Sequence, residues 1–79
     1  MSYLVYILRC SDGSLYTGQT KDLQERLSKH EKGIGSKYVR SRLPFELVYI
    51  KRCCSRSEAL QLEDEIRKLP KKKKEALVK

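Results

Sequence analysis

A chain of 79 residues has room for one domain with one modest core, burying roughly 60–65% of its unfolded surface. Its formal charge of +8 and pI of about 9.6 favour a polyanionic partner, with acidic membrane lipid as the competing one. No apolar run approaches the roughly 20 residues of a membrane span and no lipidation signal is present, while Tyr3–Leu8 is too short for a secretory leader.

Residues 3–9 alternate and are rich in β-branched and aromatic types, which predicts a first strand. Asp12-Gly13 is the strongest hairpin signal in the chain, and Leu15 to Gly18 returns as a short second strand. Thr20 or Asp22 caps a helix, with Asp22 and Glu25 at capping-box spacing. Leu23, Arg26, Leu27 and His30 then share one face of it, and Gly33 and Gly35 end it. Residues 36–44 read as a basic connection closed by Pro44, and Phe45 to Arg52 as a third, alternating strand. Ser55-Arg56-Ser57-Glu58 is a capping box for a second helix, whose apolar stripe is Ala59, Leu62, Ile66 and Leu69. Pro70 breaks that helix and starts a short terminal one that sets Leu77 and Val78 against the core. The predicted order is β-β-α-β-α(-α), an α+β fold with one small three-stranded sheet containing an antiparallel pair, and residues 1–79 form a single domain.

Cys10, Cys53 and Cys54 are odd in number and include no CxxC pair. A zinc site would need all three to converge with the single histidine, so reduced thiols in a cytoplasmic protein are the plainer reading. Half of the excess positive charge lies in residues 71–79, where a solvated face competes with non-specific phosphate contact. Lys29, Lys32, Lys37, Arg40 and Arg42 lie in and after the glycine-containing loop, with Tyr38 among them. A basic loop carrying an aromatic suits a nucleic-acid backbone and one unstacked base, and an ordinary solvated loop is its alternative.

Val5-Tyr6-Ile7 and Tyr16-Thr17-Gly18 flank the hairpin, followed by Arg26 in Leu23-Gln24-Glu25-Arg26-Leu27, by His30 and by Glu63 in Ala59-Leu60-Gln61-Leu62-Glu63. In that order they resemble the GIY-YIG nuclease superfamily, and within it the small single-domain bacterial proteins of the UPF0213 type. The tripeptides stand where the superfamily has GIY and YIG, with Val5 for the first Gly and Thr17 for the Ile. The resemblance covers roughly residues 3–69, and the downstream Asn of some clades has no counterpart.

That resemblance implies a metal-dependent endonuclease, hydrolysing phosphodiesters of structured or damaged DNA, as in repair or recombination. Glu63 would be the protein ligand of one Mg²⁺ or Mn²⁺ ion. Arg26 would hold non-bridging phosphate oxygens, and Tyr6 would position or deprotonate water with its phenol lowered by Arg26 and the ion. Tyr16 would be the second orienting phenol, His30 would bind phosphate or shuttle a proton, and Gly18 would let the backbone approach substrate. These groups are expected to converge on one sheet face. Each has a plainer alternative: strand aromatics for Tyr6 and Tyr16, and a helix C-terminal cation for His30. A catalytically weak or inactive nucleic-acid-binding module on the same scaffold is the competing function. The expected state is a monomer, with an unidentified protein partner as one source of specificity.

Overall fold

The computed structural model describes residues 2–78, and its elements follow the chain in the predicted order with one addition. Strands β1 (Tyr3–Cys10), β2 (Leu15–Thr20) and β3 (Phe45–Cys53) form one sheet in the order β2-β1-β3, antiparallel throughout. Helices α1 (Leu23–Glu31) and α2 (Lys37–Arg40) separate β2 from β3, and α3 (Arg56–Lys68) and α4 (Lys71–Leu77) close the chain.

The hairpin turns on three residues. Gly13 donates to the Cys10 carbonyl and Cys10 to that of Ser14, both at 2.9 Å, with Gly13 at φ 84°. Asp12 has no positive φ, so this is not the mirror-image two-residue turn that an Asp-Gly pair favours. It is a type I turn closed by a left-handed glycine, and the Asp12 side chain braces it by accepting from the Ser14 amide at 3.0 Å.

Alternation in β1 sends its side chains to two cores. Val5 and Ile7 pack with Cys53, Ala59 and Ile66 beneath α3, while Tyr6, Leu8 and Cys10 pack with Val39 and with Leu23 and Leu27 of α1. The central strand is therefore buried on both faces. β3 serves both cores by a register shift: Leu8 faces Leu47 but Ile7 faces Tyr49, leaving Val48 as an extra residue. Phe45 and Leu47 thus face the α1 side and Tyr49 the α3 side, so the unbroken alternation expected for this strand fails at Val48.

Both helix caps form. The Asp22 and Ser55 side chains accept from the Glu25 and Glu58 amides at 3.0 and 3.2 Å. Thr20 does not cap α1 but supports the residue that does, through Asp22 N–H to its hydroxyl at 3.1 Å. The segment expected to be a plain basic connection instead winds into α2, because Val39 is drawn fully into the α1-side core. Pro70 caps α4, and Val78 meets the core as expected, whereas Leu77 stays exposed. A bidentate pair from Arg9 of β1 to Glu75, at 2.9 and 2.6 Å, fastens α4 to the sheet.

Ile66 is the largest α3 side chain sealed against the sheet. Ile66→Ala is expected to cost roughly 2–5 kcal/mol in urea denaturation, a large share of the stability of so small a domain. A loss below about 1 kcal/mol would mean that α3 is held chiefly by other contacts.

Candidate functional site

Tyr6 and Gly18 face each other across the β1–β2 pair. The Tyr6 ring lies across the glycine so closely that a Cβ there would stand 2.5 Å from its hydroxyl and 2.7 Å from Cζ. The glycine's use is therefore internal. Gly18 is itself buried and gives its space to a tyrosine, whereas the sequence pointed to a substrate approaching its backbone.

The Tyr6 hydroxyl lies 2.9 Å from His30 Nε2, and both residues are fully buried. His30 projects from the last turn of α1 into a cage of rings, edge-on to Tyr6, Tyr16 and Phe45 at centroid distances of 6.0, 5.5 and 6.0 Å. Its Nδ1 is buried without a hydrogen-bond partner among the described residues and abuts Gly35, where a Cβ would come within 2.8 Å of it. Burial, reinforced by the Arg26 cation, holds the imidazole below its usual pKa. His30 is thus a neutral core histidine, not a helix-terminal cation in solvent.

Burial also pushes the Tyr6 phenol far above its usual value. The neighbouring Tyr16 and Glu63 raise it further, and Arg26 opposes them only in part. The expected lowering by cationic neighbours is outweighed because desolvation of a phenolate dominates. Tyr16 is half-buried on the same face, its ring centroid 6.4 Å from that of Tyr6, and Arg26, also half-buried, is close enough to act on the Tyr6 phenol.

Glu63 comes from the other side. Its helix packs on the Val5–Ile7 face, opposite the tyrosines, so the groups do not stand over one sheet face as expected. Glu63 instead meets them beside the edge strand β2. Its carboxylate is 14% exposed and pairs at 2.9 Å with Arg67, one helical turn on. The same Arg67 Nη2 donates to the Thr17 carbonyl at 3.1 Å, clipping α3 to the second tripeptide. Arg67 was missed in the sequence, although the Glu63–Arg67 spacing was there to find it. Asp64 is exposed and pairs outward with Lys68, as its helix phase predicts.

The basic loop residues are partly spent within the protein. Tyr38 is exposed but already engaged within the protein, with the Tyr16 ring stacked at a centroid distance of 5.9 Å and the Arg42 guanidinium 3.8 Å over its ring. Arg42 also donates to Asp12 at 3.0 Å and to the Tyr38 carbonyl at 3.1 Å, fastening the α2 segment to the hairpin turn. Lys29 pairs with Glu25 at 3.1 Å, and the Arg40 stem covers Gly33. Lys32 and Lys37 stand exposed near the ends of α1 and α2.

Two tyrosine-bearing antiparallel strands, an arginine on the following helix and a glutamate on the helix after the third strand define a known architecture, and the GIY-YIG catalytic domain matches residues 2–76. This chain belongs to the GIY-YIG family. Within it, the chain is of the small UPF0213 type. It is 51% identical over 76 residues to a UPF0213 protein of Oceanobacillus iheyensis, covering 96% of this chain and 88% of that one. A UPF0213 protein of Staphylococcus aureus is 49% identical over 78 residues, covering 99% and 95%. The solution structure of a Bacillus halodurans UPF0213 protein superposes with a TM-score of 0.65 at 49% identity, covering 99% of this chain and 83% of that one. A solution structure from E. faecalis gives 0.68 at 37% identity, covering 96% and 81%. Among the described residues no helix is long and apolar enough to cross a membrane, and no group of three His, Cys, Asp or Glu side chains converges as a metal cluster.

Gly18→Ala is expected to cost roughly 1–3 kcal/mol by overpacking, read from thermal or urea unfolding. An unchanged midpoint would show that Tyr6 yields easily. His30 gives a pH signature as well. Because its folded pKa is depressed, the unfolded chain takes up the proton first as pH falls through about 6.5. Stability should drop from there down to the lower folded pKa and level off below it. His30 is the only histidine, so His30→Gln should remove this drop from melting curves collected between pH 7 and 5.5. A flat wild-type profile there would contradict it.

Proposed function

We propose that this GIY-YIG domain is a nucleic-acid-binding module, directed to structured or damaged DNA, whose phosphodiester chemistry is weak or silent in the conformation described. One observation carries this reading: the two groups a hydrolytic mechanism needs most are both engaged within the protein. The Tyr6 hydroxyl is buried against His30 with its phenol pushed upward, so it is a poor base at neutral pH. The Glu63 carboxylate is neutralised by Arg67. Arg26, half-buried against the Tyr6 phenol, makes no ion pair among the described residues, so its charge is left to meet phosphate oxygens, and the net charge of +8 draws polyanions from a distance.

The second reading is the metal-dependent endonuclease, favoured by one specific observation: Tyr16, Arg26 and Glu63 all act electrostatically on the Tyr6 phenol. The residues fit one Mg²⁺ or Mn²⁺ only in the sparing way typical of such ions, with Glu63 as protein ligand beside waters and substrate phosphate, and with Arg67 displaced. Bound there, the ion would polarise a phosphate oxygen and stabilise the leaving group. Arg26 would hold the non-bridging oxygens, and Tyr16, half-buried beside Tyr6, would orient water or phosphate.

A panel of flaps, junctions, nicked duplexes and single strands separates the two. The module reading expects salt-sensitive binding shared by wild type and Glu63→Gln, with little or no cleavage in Mg²⁺ or Mn²⁺. Cleavage lost in both Glu63→Gln and Arg26→Ala would establish the endonuclease instead, and no binding at low salt would overturn the module. Arg67 provides a check independent of activity. Replacing it by Gln removes a competing cation worth about 1 kcal/mol. Mn²⁺ affinity in paramagnetic relaxation NMR should then rise roughly fivefold, with broadening centred on Glu63. Unchanged affinity would show that the pair does not compete with an ion.

A further inference from the structure

Cations without an ion pair among the described residues gather in one further place besides the α2 loop and the α4 lysines. A polar cleft of about 410 Å³ opens between the end of β2, the start of α1 and the start of α3, and Lys21, Arg26 and Arg56 line it from three segments of chain. None of the three makes an ion pair among the described residues, whereas Lys29 and Arg42 of the basic loop are both paired. The cleft also contains two carboxylates, and both have other work. Asp22 caps α1 by accepting from the Glu25 amide, and Glu25 pairs with Lys29 at 3.1 Å. Tyr3 supplies one wall, with the Lys21 ammonium 5.8 Å above its ring centroid. Lys21 and Arg56 are exposed and Arg26 half-buried, so the charge deepens from the rim toward the tyrosine site.

We infer that this cleft is the track for the phosphodiester backbone, with Lys21 and Arg56 holding flanking phosphates on either side of the one gripped by Arg26. Three cations without an ion pair in a polar cleft recognise the repeating charge of a nucleic-acid strand and carry no base-edge code. Phosphate contacts of this kind position a strand without specifying its sequence, which agrees with recognition by shape. The inference rests on the nucleic-acid-binding reading above and adds where the strand runs: across the α1–α3 cleft and not over the α2 loop.

The test compares Lys21→Gln/Arg56→Gln with Lys71→Gln/Lys72→Gln, which removes the same charge from exposed positions on α4. Both pairs are exposed, so neither exchange threatens the fold. The probe is a fluorescein-labelled DNA flap, titrated by anisotropy over a range of salt. Two lost phosphate contacts should reduce the slope of log affinity against log salt by about 1.4 to 1.8 and weaken binding at least tenfold near 50 mM salt. The α4 pair should change the slope by less than half as much. Amide shifts on adding the flap should centre on Tyr3, Gln19, Thr20, Lys21 and Arg56. Equal losses in both pairs, or shifts centred on Lys37 to Arg42, would overturn the track while leaving the binding module standing. A wild type that binds no nucleic acid overturns both.

Discussion

The site depends on a single close approach: the Tyr6 ring pressed across Gly18 on the central strand, with its hydroxyl against His30. β1 is the central strand and is covered on both faces, so a large polar aromatic placed on it must find a polar partner in the interior. His30 is that partner, and Gly35 leaves the room its ring needs. A tyrosine, a histidine and two glycines thereby fix the distance from α1 to the sheet, and Arg26 is carried to its place on the same helix. Chemistry and core are built from the same side chains here. This explains how a chain too short to separate them can present an organised site at all.

Much of the architecture was legible because it follows from local rules. Both helix caps, the strand alternation in β1 and the apolar stripe of α3 are readable at fixed spacings. The legible part of the site was its residue set, through the two tripeptides and the residues that follow them. What could not be read was how each group is spent. Whether Tyr38 offers a face to a base depends on Tyr16 and Arg42 closing on it from distant elements. Whether His30 is a surface cation or a buried partner of Tyr6 depends on the depth of α1 over the sheet. The sign of the Tyr6 shift likewise turned on burial outweighing a nearby cation, a balance that linear spacing does not encode. α2 was lost in a run of basic residues, since one buried valine is too little for a periodic signal.

Charge in this protein is best counted by what remains after internal pairing. Arg9, Arg42 and Arg67 act as fasteners: the first holds α4 to β1, the second the α2 segment to the hairpin turn, the third α3 to β2. Arginine suits this work because its planar fork serves two acceptors at once while its stem covers apolar surface. The fastening residues and the uncompensated ones are interleaved along the chain, so a basic sequence and a basic surface are different maps. Arg67 illustrates the distinction best, since its positive charge stands beside the one carboxylate on which metal chemistry would depend.

The extra residue at Val48 has a consequence for how this family can vary. Because one strand supplies side chains to two cores, the bulge acts as a phase switch: upstream positions are read by one core and downstream positions by the other. Losing a single residue there would not shorten the strand harmlessly. It would invert the inward and outward assignment of one half of β3, exchanging exposed Ile50 and half-buried Tyr49 in a single step. Length changes are therefore far more readily absorbed in the loops at either end of β3 than within it, whatever the amino acid gained or lost.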